Sequence, residues 1–350
     1  MTEKSAPESR YLEIELCLNN SRLFTDNFLS SAHGSKWLIL GGTGFVGRWL
    51  TLFGQEIASR TEKPDMVTVV TRDIQRARDA LRRFLPSKYE LPEILPLDFL
   101  NSDIRSNSRI QKFDTIFHAA TPTSKHEKYM DDVLLVTSRL LEKCKRFNHP
   151  RFIHLSSGGV YARQEFQGRR ITENVNRVAA TKASSVYQRT KVMLEEKVER
   201  ATEEGIIRGV NPRLFSFAGP GFPLNSHFAF AEFMRTALKD KNIVLRGNPD
   251  TCRSYMHPVT MVEWILTCWK YADQIGLSPL HVGNPVSITM MELATLVADE
   301  IGGVTVRLLP NQHLIEWYVP EVTTLTNLGC RHDDYSTREI IQSWKRYGTE

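Results

Sequence analysis

Two short stretches of this chain hold residue types at spacings that could do proton chemistry together. Tyr187 and Lys191, in Tyr187-Gln-Arg-Thr-Lys191, stand four apart, which places a phenol and an ammonium on one face of a helix. A phenol with an ordinary pKa of about 10 is a poor base at neutral pH, but a fixed positive charge beside it favours the phenolate. Such a group can pass a proton to or from a substrate hydroxyl. Ser157, in Ser156-Ser-Gly-Gly-Val-Tyr161, follows an apolar run directly and is able to hydrogen-bond the same substrate oxygen. Taken singly, the tyrosine and lysine are equally a surface pair, and the serine–glycine stretch is equally a strand-ending turn.

A third stretch supplies the partner for that chemistry. The apolar run Trp37-Leu-Ile-Leu40 passes straight into Gly41-Gly-Thr-Gly44-Phe-Val-Gly47, and Phe45, Val46, Trp49, Leu50, Phe53 and Ile57 then recur at helical period up to Ala58. A strand, a glycine triplet and a helix in that order cradle a dinucleotide pyrophosphate. One glycine serves the tight turn, one the close approach of backbone to phosphate, and one the packing at the helix N-terminus, where free N–H groups attract anions. Gly41, Thr43, Gly44, Phe45, Val46 and Gly47 are therefore the candidate cofactor contacts, although a glycine triplet alone is also an ordinary turn.

The elements that must position these groups are legible as alternation. Apolar, β-rich runs at 37–40, 66–71, 113–119, 151–156 and 207–215 are separated by helical patterns, which predicts an α/β, Rossmann-type doubly wound parallel sheet. In such a sheet ligands sit beyond the carboxyl ends of the strands. The helix carrying Tyr187 and Lys191 runs from Ser184 to Glu204, opened by a capping serine and closed by Gly205. The spacing assigns residues 36–215 to a dinucleotide-binding domain. After Gly219-Pro220-Gly221 the character changes, with helices near 228–239, 260–272 and 289–302 between Gly/Pro/Asn turns, and residues 216–350 read mainly as a smaller mixed substrate-binding lobe whose chain crosses back to the sheet. Residues 1–35 form an extension with enough apolar residues to dock (Leu12, Ile14, Leu16, Leu18, Leu23, Phe24, Phe28, Leu29) but not to fold alone, and its first ten residues are expected to be disordered.

Composition narrows the class further. A chain of 350 residues, 41% hydrophobic and 24% charged, has the makings of an ordinary globular core. A net charge of +5 with dispersed Lys and Arg gives nucleic-acid binding little support, and Arg76, Arg78, Arg82 and Arg83 read as a solvated helix face. Five cysteines without C-x-x-C pairing or a secretory leader point to reduced thiols in a cytoplasmic setting. No apolar run approaches the ~20 residues that span a bilayer, so no membrane partner is expected. No metal site is expected either.

With these motifs in place, the chain resembles the extended short-chain dehydrogenase/reductase family, in particular its branch of NAD(P)-dependent nucleotide-sugar epimerases and dehydratases. The resemblance runs from about residue 37 to about 330. It rests on the glycine loop 41–47, Asp103-Ile-Arg105, His118-Ala-Ala-Thr121, Ser156–Tyr161, Tyr187-x-x-x-Lys191, Arg213-Leu-Phe-Ser-Phe-Ala-Gly-Pro220, Arg253-Ser-Tyr-Met-His257 and His281-Val-Gly-Asn284. It implies Tyr187 as acid/base, Lys191 as the group that holds the nicotinamide ribose and lowers the tyrosine pKa, and Ser157 as the donor orienting the reacting oxygen. It further implies Asp103 and Ile104 beside the adenine, Ala119, Ala120 and Thr121 along the cofactor, Ser216 near the substrate, and Arg253 clamping the diphosphate of a nucleotide-diphosphate sugar. A homodimer is implied as well.

At the end of the second strand, where NAD-dependent relatives usually carry an acid, stands Thr71-Arg72-Asp73. Arg72, assisted by Arg76, offers attraction to a 2′-phosphate, so NADP is expected, with NAD left possible by Asp73. Gly158 and Gly159 occupy the positions where 4,6-dehydratases of the family hold an Asp-Glu pair, and elimination lacks its proton carriers without them. Redox at a ring carbon is what remains, C4 by the resemblance, as a 4-ketoreductase or a 4-epimerase. The other class of reading is a catalytically silent NADP(H)-binding sensor. Leu40, Val133, Ser216 and Thr260 depart from residues usual in the family, so unusual substrate contacts are expected.

Overall fold

The computed structural model describes residues 6–97, 113–120, 127–146, 148–162, 168–309, 314–332 and 334–348. Its centre is a six-stranded sheet built from β1 (Trp37–Leu40), β2 (Val67–Thr71), β3 (Glu93–Pro96), β4 (Thr115–His118), β5 (Arg151–His154) and β7 (Arg208–Val210). The strands run in the order β3-β2-β1-β4-β5-β7, and every pairing is parallel. β1 and β4 are buried throughout, as a sheet covered on both faces requires. α3 (Phe45–Arg60), α4 (Ile74–Phe84), α5 (Glu127–Cys144) and α6 (Val186–Glu203) alternate with the strands. Strand order reverses between β1 and β4, so the ends of these two neighbours open the crevice in which doubly wound folds take ligands. The expected Rossmann-type fold is thus present.

Two departures from the sequence reading shape the site. The run 151–156 breaks after His154, and Ser156–Ser157 form a separate strand, β6; the run 207–215 breaks at Asn211, leaving β8 (Pro212–Leu214). β6 and β8 join β11 (Leu280–Val282) in a second sheet ordered β11-β8-β6, so Ser157 rests on the C-terminal half as well as on the main sheet. β3 is not anticipated by the sequence because prolines flank and end it; as an edge strand it tolerates Pro96. α4 buries Ala77, Leu81 and Phe84, leaving Arg76, Arg78, Arg82 and Arg83 exposed, as a solvated face should be.

Beyond β8, α7 (Ala229–Asp240), α10 (Met290–Ile301) and α12 (Thr337–Tyr347) enclose a core of Phe230, Met234, Leu293, Val297, Ile340 and Trp344, each worth about 1.5–3 kcal/mol of burial. β9 (Asn242–Leu245) pairs with β13 (Thr305–Leu308), and β10 (Cys252–Arg253) lies between β12 (Ile288–Thr289) and β14 (Trp317–Tyr318). α8 (Pro258–Lys270) and α9 (Ala272–Ile275) return to the main sheet. There the Trp269 indole N–H donates to Thr115 Oγ1 at 2.9 Å, and its ring meets Trp37 at 5.5 Å.

The extension is helical: α1 (Ala6–Asn19) and α2 (Asp26–Ala32). Residues 6–10, expected to be disordered, open α1 instead. The helix is held because Ile14, Cys17 and Leu18 are buried and because Glu13 accepts from Arg346 Nε at 2.6 Å and Nη2 at 3.0 Å. On its other side Tyr11 donates to the Arg82 carbonyl at 2.8 Å, so α1 touches α4 and α12 together. Among the described residues no helix is long and apolar enough to cross a membrane.

Candidate active site

The crevice between β1 and β4 has the shape the glycines predict. Gly41 leaves β1 at φ +81°, a left-handed conformation natural to glycine. A Cβ there would lie 2.8 Å from the Ala119 carbonyl carbon and the Ala120 nitrogen, and a Cβ on Gly47 would lie 2.1 Å from the Gly41 oxygen. Gly44 caps α3 with extended backbone and without a side-chain bond, so the positive end of the helix is offered to a ligand. Thr43, Phe45 and Val46 are half-buried on the same turn, and Ala119 and Ala120 are half-buried opposite. This cradle fits a dinucleotide pyrophosphate. Asp103, Ile104 and Thr121 lie outside the described residues.

At the far end of the cradle, Arg72 and Arg76 are exposed. Asp73 is committed elsewhere: its carboxylate accepts the Arg76 backbone N–H at 3.0 Å as the N-cap of α4, and its own N–H donates to Thr71 Oγ1 at 3.1 Å.

The candidate proton-transfer residues Ser157 and Tyr187 meet at Gly159. A Cβ on that glycine would stand 3.2 Å from Ser157 Oγ and 3.3 Å from Tyr187 Cε1, so the hydroxyl and the ring edge flank one backbone position. Ser157 Oγ accepts the Gly159 N–H at 3.0 Å, which leaves the serine proton to donate. Tyr187 is 38% exposed. Lys191 is buried, and its ammonium donates to the Leu155 carbonyl at 2.7 Å, the residue at the break between β5 and β6. Burial pulls the Lys191 pKa down to about 8, opposed by the Glu195 carboxylate. Beneath it His118 is pushed down to about 3 by burial and by Lys191, and His154 is lowered for the same two reasons; both imidazoles are neutral.

The sequence reading missed the scaffold under these groups. Glu195, one turn beyond Lys191 and fully buried, accepts from Ser156 Oγ at 2.5 Å, from Arg213 Nε at 3.0 Å and Nη2 at 2.8 Å, and from Arg177 at 3.2 Å. Arg213 also donates to the Tyr161 hydroxyl at 2.6 Å, which lies 2.6 Å from His281 Nε2. A fully satisfied buried network of this kind rigidifies what it joins, here α6, β6 and β8. Ser156, Tyr161, Arg213 and His281 all stand in motifs legible in the sequence, but nothing in their spacing shows that they join Glu195 in one network.

The substrate end is less open than the resemblance implies. Arg253 Nη2 donates to Glu316 at 2.7 Å and Nη1 to the Cys252 carbonyl at 3.0 Å, so its fork already holds a carboxylate. Ser216 runs beside it through the backbone, its carbonyl accepting from Met256 N at 3.1 Å. A Cβ on Gly158 would meet Phe215 Cζ at 2.7 Å and the Tyr318 hydroxyl at 2.8 Å. Tyr318 is the register partner of Arg253, and its ring packs on Phe215 at 4.7 Å. The space beside Ser157 is therefore filled from the C-terminal half.

The chain is 24% identical over 277 residues to UDP-glucuronic acid decarboxylase 2 of Arabidopsis thaliana, a match spanning 77% of this chain and 57% of that protein. Its fold matches that of a UDP-glucuronic acid 4-epimerase from Bacillus cereus with TM-score 0.74 at 17% identity, covering 89% of this chain and 98% of the other. A UDP-N-acetylglucosamine 4-epimerase from Methanobrevibacter ruminantium matches over the same shares, 89% and 98%, with TM-score 0.73 at 18% identity. At these identities the structural likeness is one of fold. The model of the NAD dependent epimerase/dehydratase family matches residues 37–277, most of the chain, and the chain belongs to that family.

Proposed function

We propose that this protein is an NAD(P)-dependent oxidoreductase that moves a hydride at C4 of a nucleotide-diphosphate sugar, with neither elimination nor decarboxylation. The observation that carries this reading is the Gly158–Gly159 loop. Ser157 and Tyr187 flank Gly159, while Phe215 and Tyr318 fill the space a side chain at 158 would need, so this loop supplies no carboxylate for abstracting or delivering a second proton. The bound nicotinamide supplies the site that gives or takes the hydride. Tyr187 exchanges the proton of the sugar 4-oxygen, Ser157 donates a hydrogen bond to that oxygen, and the Lys191 charge, held against Leu155, favours the phenolate. The sensor reading is disfavoured because a protein that only reports cofactor needs no serine and phenol beside one glycine.

The 4-ketoreductase form, spending NADPH, is supported by exposed Arg72, whose guanidinium attracts a 2′-phosphate, while the Asp73 carboxylate beside it, which caps α4, leaves NAD possible. The 4-epimerase form has its own support in the likeness to 4-epimerases, of which the Bacillus cereus protein is described in complex with NAD. A reduced, cytoplasmic setting agrees with five free cysteines, and a homodimer is part of the same reading. The test is to mix the protein with NADPH and a panel of nucleotide-linked 4-keto sugars and follow the absorbance of the reduced nicotinamide, with Tyr187→Phe as control. Tyr187-dependent oxidation supports the reductase, and isomerisation of a UDP-hexose without net cofactor use supports the epimerase. Release of water or carbon dioxide from a nucleotide sugar would overturn the proposal.

A further inference from the structure

The loop that presents Ser157 has two consecutive glycines, which ordinarily leave a backbone free to wander and carry the greatest entropy cost when fixed. Something outside the loop must hold it, and the side chain of Gln188 does. Gln188 is 6% exposed and immediately follows Tyr187. Its Nε2 donates to the Gly159 carbonyl at 2.9 Å and to the Tyr161 carbonyl at 2.9 Å. Its Oε1 accepts from the Ser184 N–H at 2.7 Å and the Ser184 hydroxyl at 3.0 Å. Both donors and both lone pairs of the amide are thus engaged, and the orientation is the only one that works, since turning the amide over would face its oxygen to two carbonyls and its NH2 to a backbone N–H. The backbone N–H of Gln188 is itself capped by Ser185 Oγ at 3.1 Å, so the first turn of α6, Tyr187 included, is fixed to the same residue.

We propose that Gln188 is a positioning residue that sets the separation of Ser157 Oγ from the Tyr187 ring by pinning the Gly159 and Tyr161 carbonyls to the first turn of α6. The anchor is double. Ser156 is tied to Glu195 at the other end of the segment, but Gly158 and Gly159 lie between the two ties, and Gln188 holds that stretch from the first turn of α6. This role rests on the proton-transfer reading of Ser157 and Tyr187, and it adds a group that touches neither substrate nor cofactor.

Gln188→Glu keeps the shape and the acceptor toward Ser184 but sets a carboxylate oxygen against the two carbonyls; Gln188→Ala removes both ends. A misplacement of order 1 Å costs about 100-fold in rate. In both variants kcat on the active sugar nucleotide is expected to fall about that much, with NADPH affinity, read by fluorescence, within about twofold of wild type because the cradle at β1 and β4 is untouched. In Gln188→Glu the deficit relative to wild type is expected to narrow toward acid pH, where a protonated carboxyl regains one donor. Hydrogen exchange followed by mass spectrometry is expected to quicken in the segment 157–161 in both variants while the core strands keep their protection. Wild-type kcat in the variants, or unchanged exchange in that segment, would overturn the role of Gln188. A wild-type protein silent on every sugar nucleotide would instead indict the proposed reaction, and the exchange result would still judge the pinning.

Discussion

Replacing Lys191 by methionine should abolish turnover and yet stabilise the ligand-free protein at neutral pH. Lys191 is 3% exposed, and its pKa falls from an ordinary 10.5 to about 8 because burial outweighs the help of Glu195. At about 1.4 kcal/mol per tenfold change, that drop corresponds to at most about 3 kcal/mol of folding free energy spent on keeping the charge inside. Methionine fits the aliphatic part of the slot but leaves the Leu155 carbonyl without its donor, which returns about 1 kcal/mol. The net gain is therefore about 2 kcal/mol. Its pH dependence follows from the protons. Below about pH 8 the folded and unfolded chains both hold the lysine proton, and the wild type carries the whole penalty. Between about 8 and 10.5 the folded chain releases its proton while the unfolded chain keeps it, so the penalty shrinks as pH rises and is gone above that window. Urea unfolding at pH 7 and again near the top of the window measures the difference directly. A methionine variant less stable than wild type at pH 7, or a gain that does not decline with pH, would refute the view of Lys191 as a charge buried for function at the expense of stability.

Other outcomes follow from the same geometry. Glu195→Gln takes away the anion that helps Lys191 stay charged, so the alkaline limb of the pH–rate profile, expected near pH 8, should move to lower pH. The same change leaves buried Arg213 short of its counter-charge, a loss of up to about 3–5 kcal/mol that a thermal melt would register. Arg72→Ala should weaken NADPH binding far more than NADH binding, and equal losses in a fluorescence titration would remove the case for a 2′-phosphate contact. Glu13→Ala strips Arg346 and Ser343 of their shared acceptor; a loss of about 1–3 kcal/mol in denaturant unfolding is expected, and none would mean that the extension rests on α12 without holding it.

Local rules carried the sequence reading a long way where one element fixes the outcome. The glycine spacing gave the β1–α3 turn because each glycine answers to a near contact, Gly41 with Ala119 and Gly47 with the Gly41 carbonyl. The helix of Tyr187 and Lys191 was legible from its period and its caps, with the cap falling on Ser185 rather than Ser184. What the sequence did not show depends on partners far away in the chain. The break at Leu155 becomes visible only when Lys191, 36 residues on, takes its carbonyl. Glu195 meets Arg213 and Arg177 through folding alone, and Arg253 turns out to hold Glu316, 63 residues away. β3 was hidden by its prolines, and the helical start of the extension by its polar composition, where Arg10 lies over the Tyr347 ring of α12.

On the proposed reading, Ser157 and Tyr187 serve hydride transfer at a sugar carbon, and positions 158 and 159 carry glycines instead of proton-carrying side chains. The most direct test is to supply a nucleotide sugar deuterated at C4 to the NADP+- or NAD+-loaded protein and analyse the nicotinamide and the sugar by mass spectrometry. Deuterium is expected to pass from C4 to the nicotinamide in wild type, not in Tyr187→Phe, with the sugar keeping its oxygen at C6 and any carboxyl group. Deuterium that stays on the sugar, or a product that has lost water or carbon dioxide, would contradict that reading.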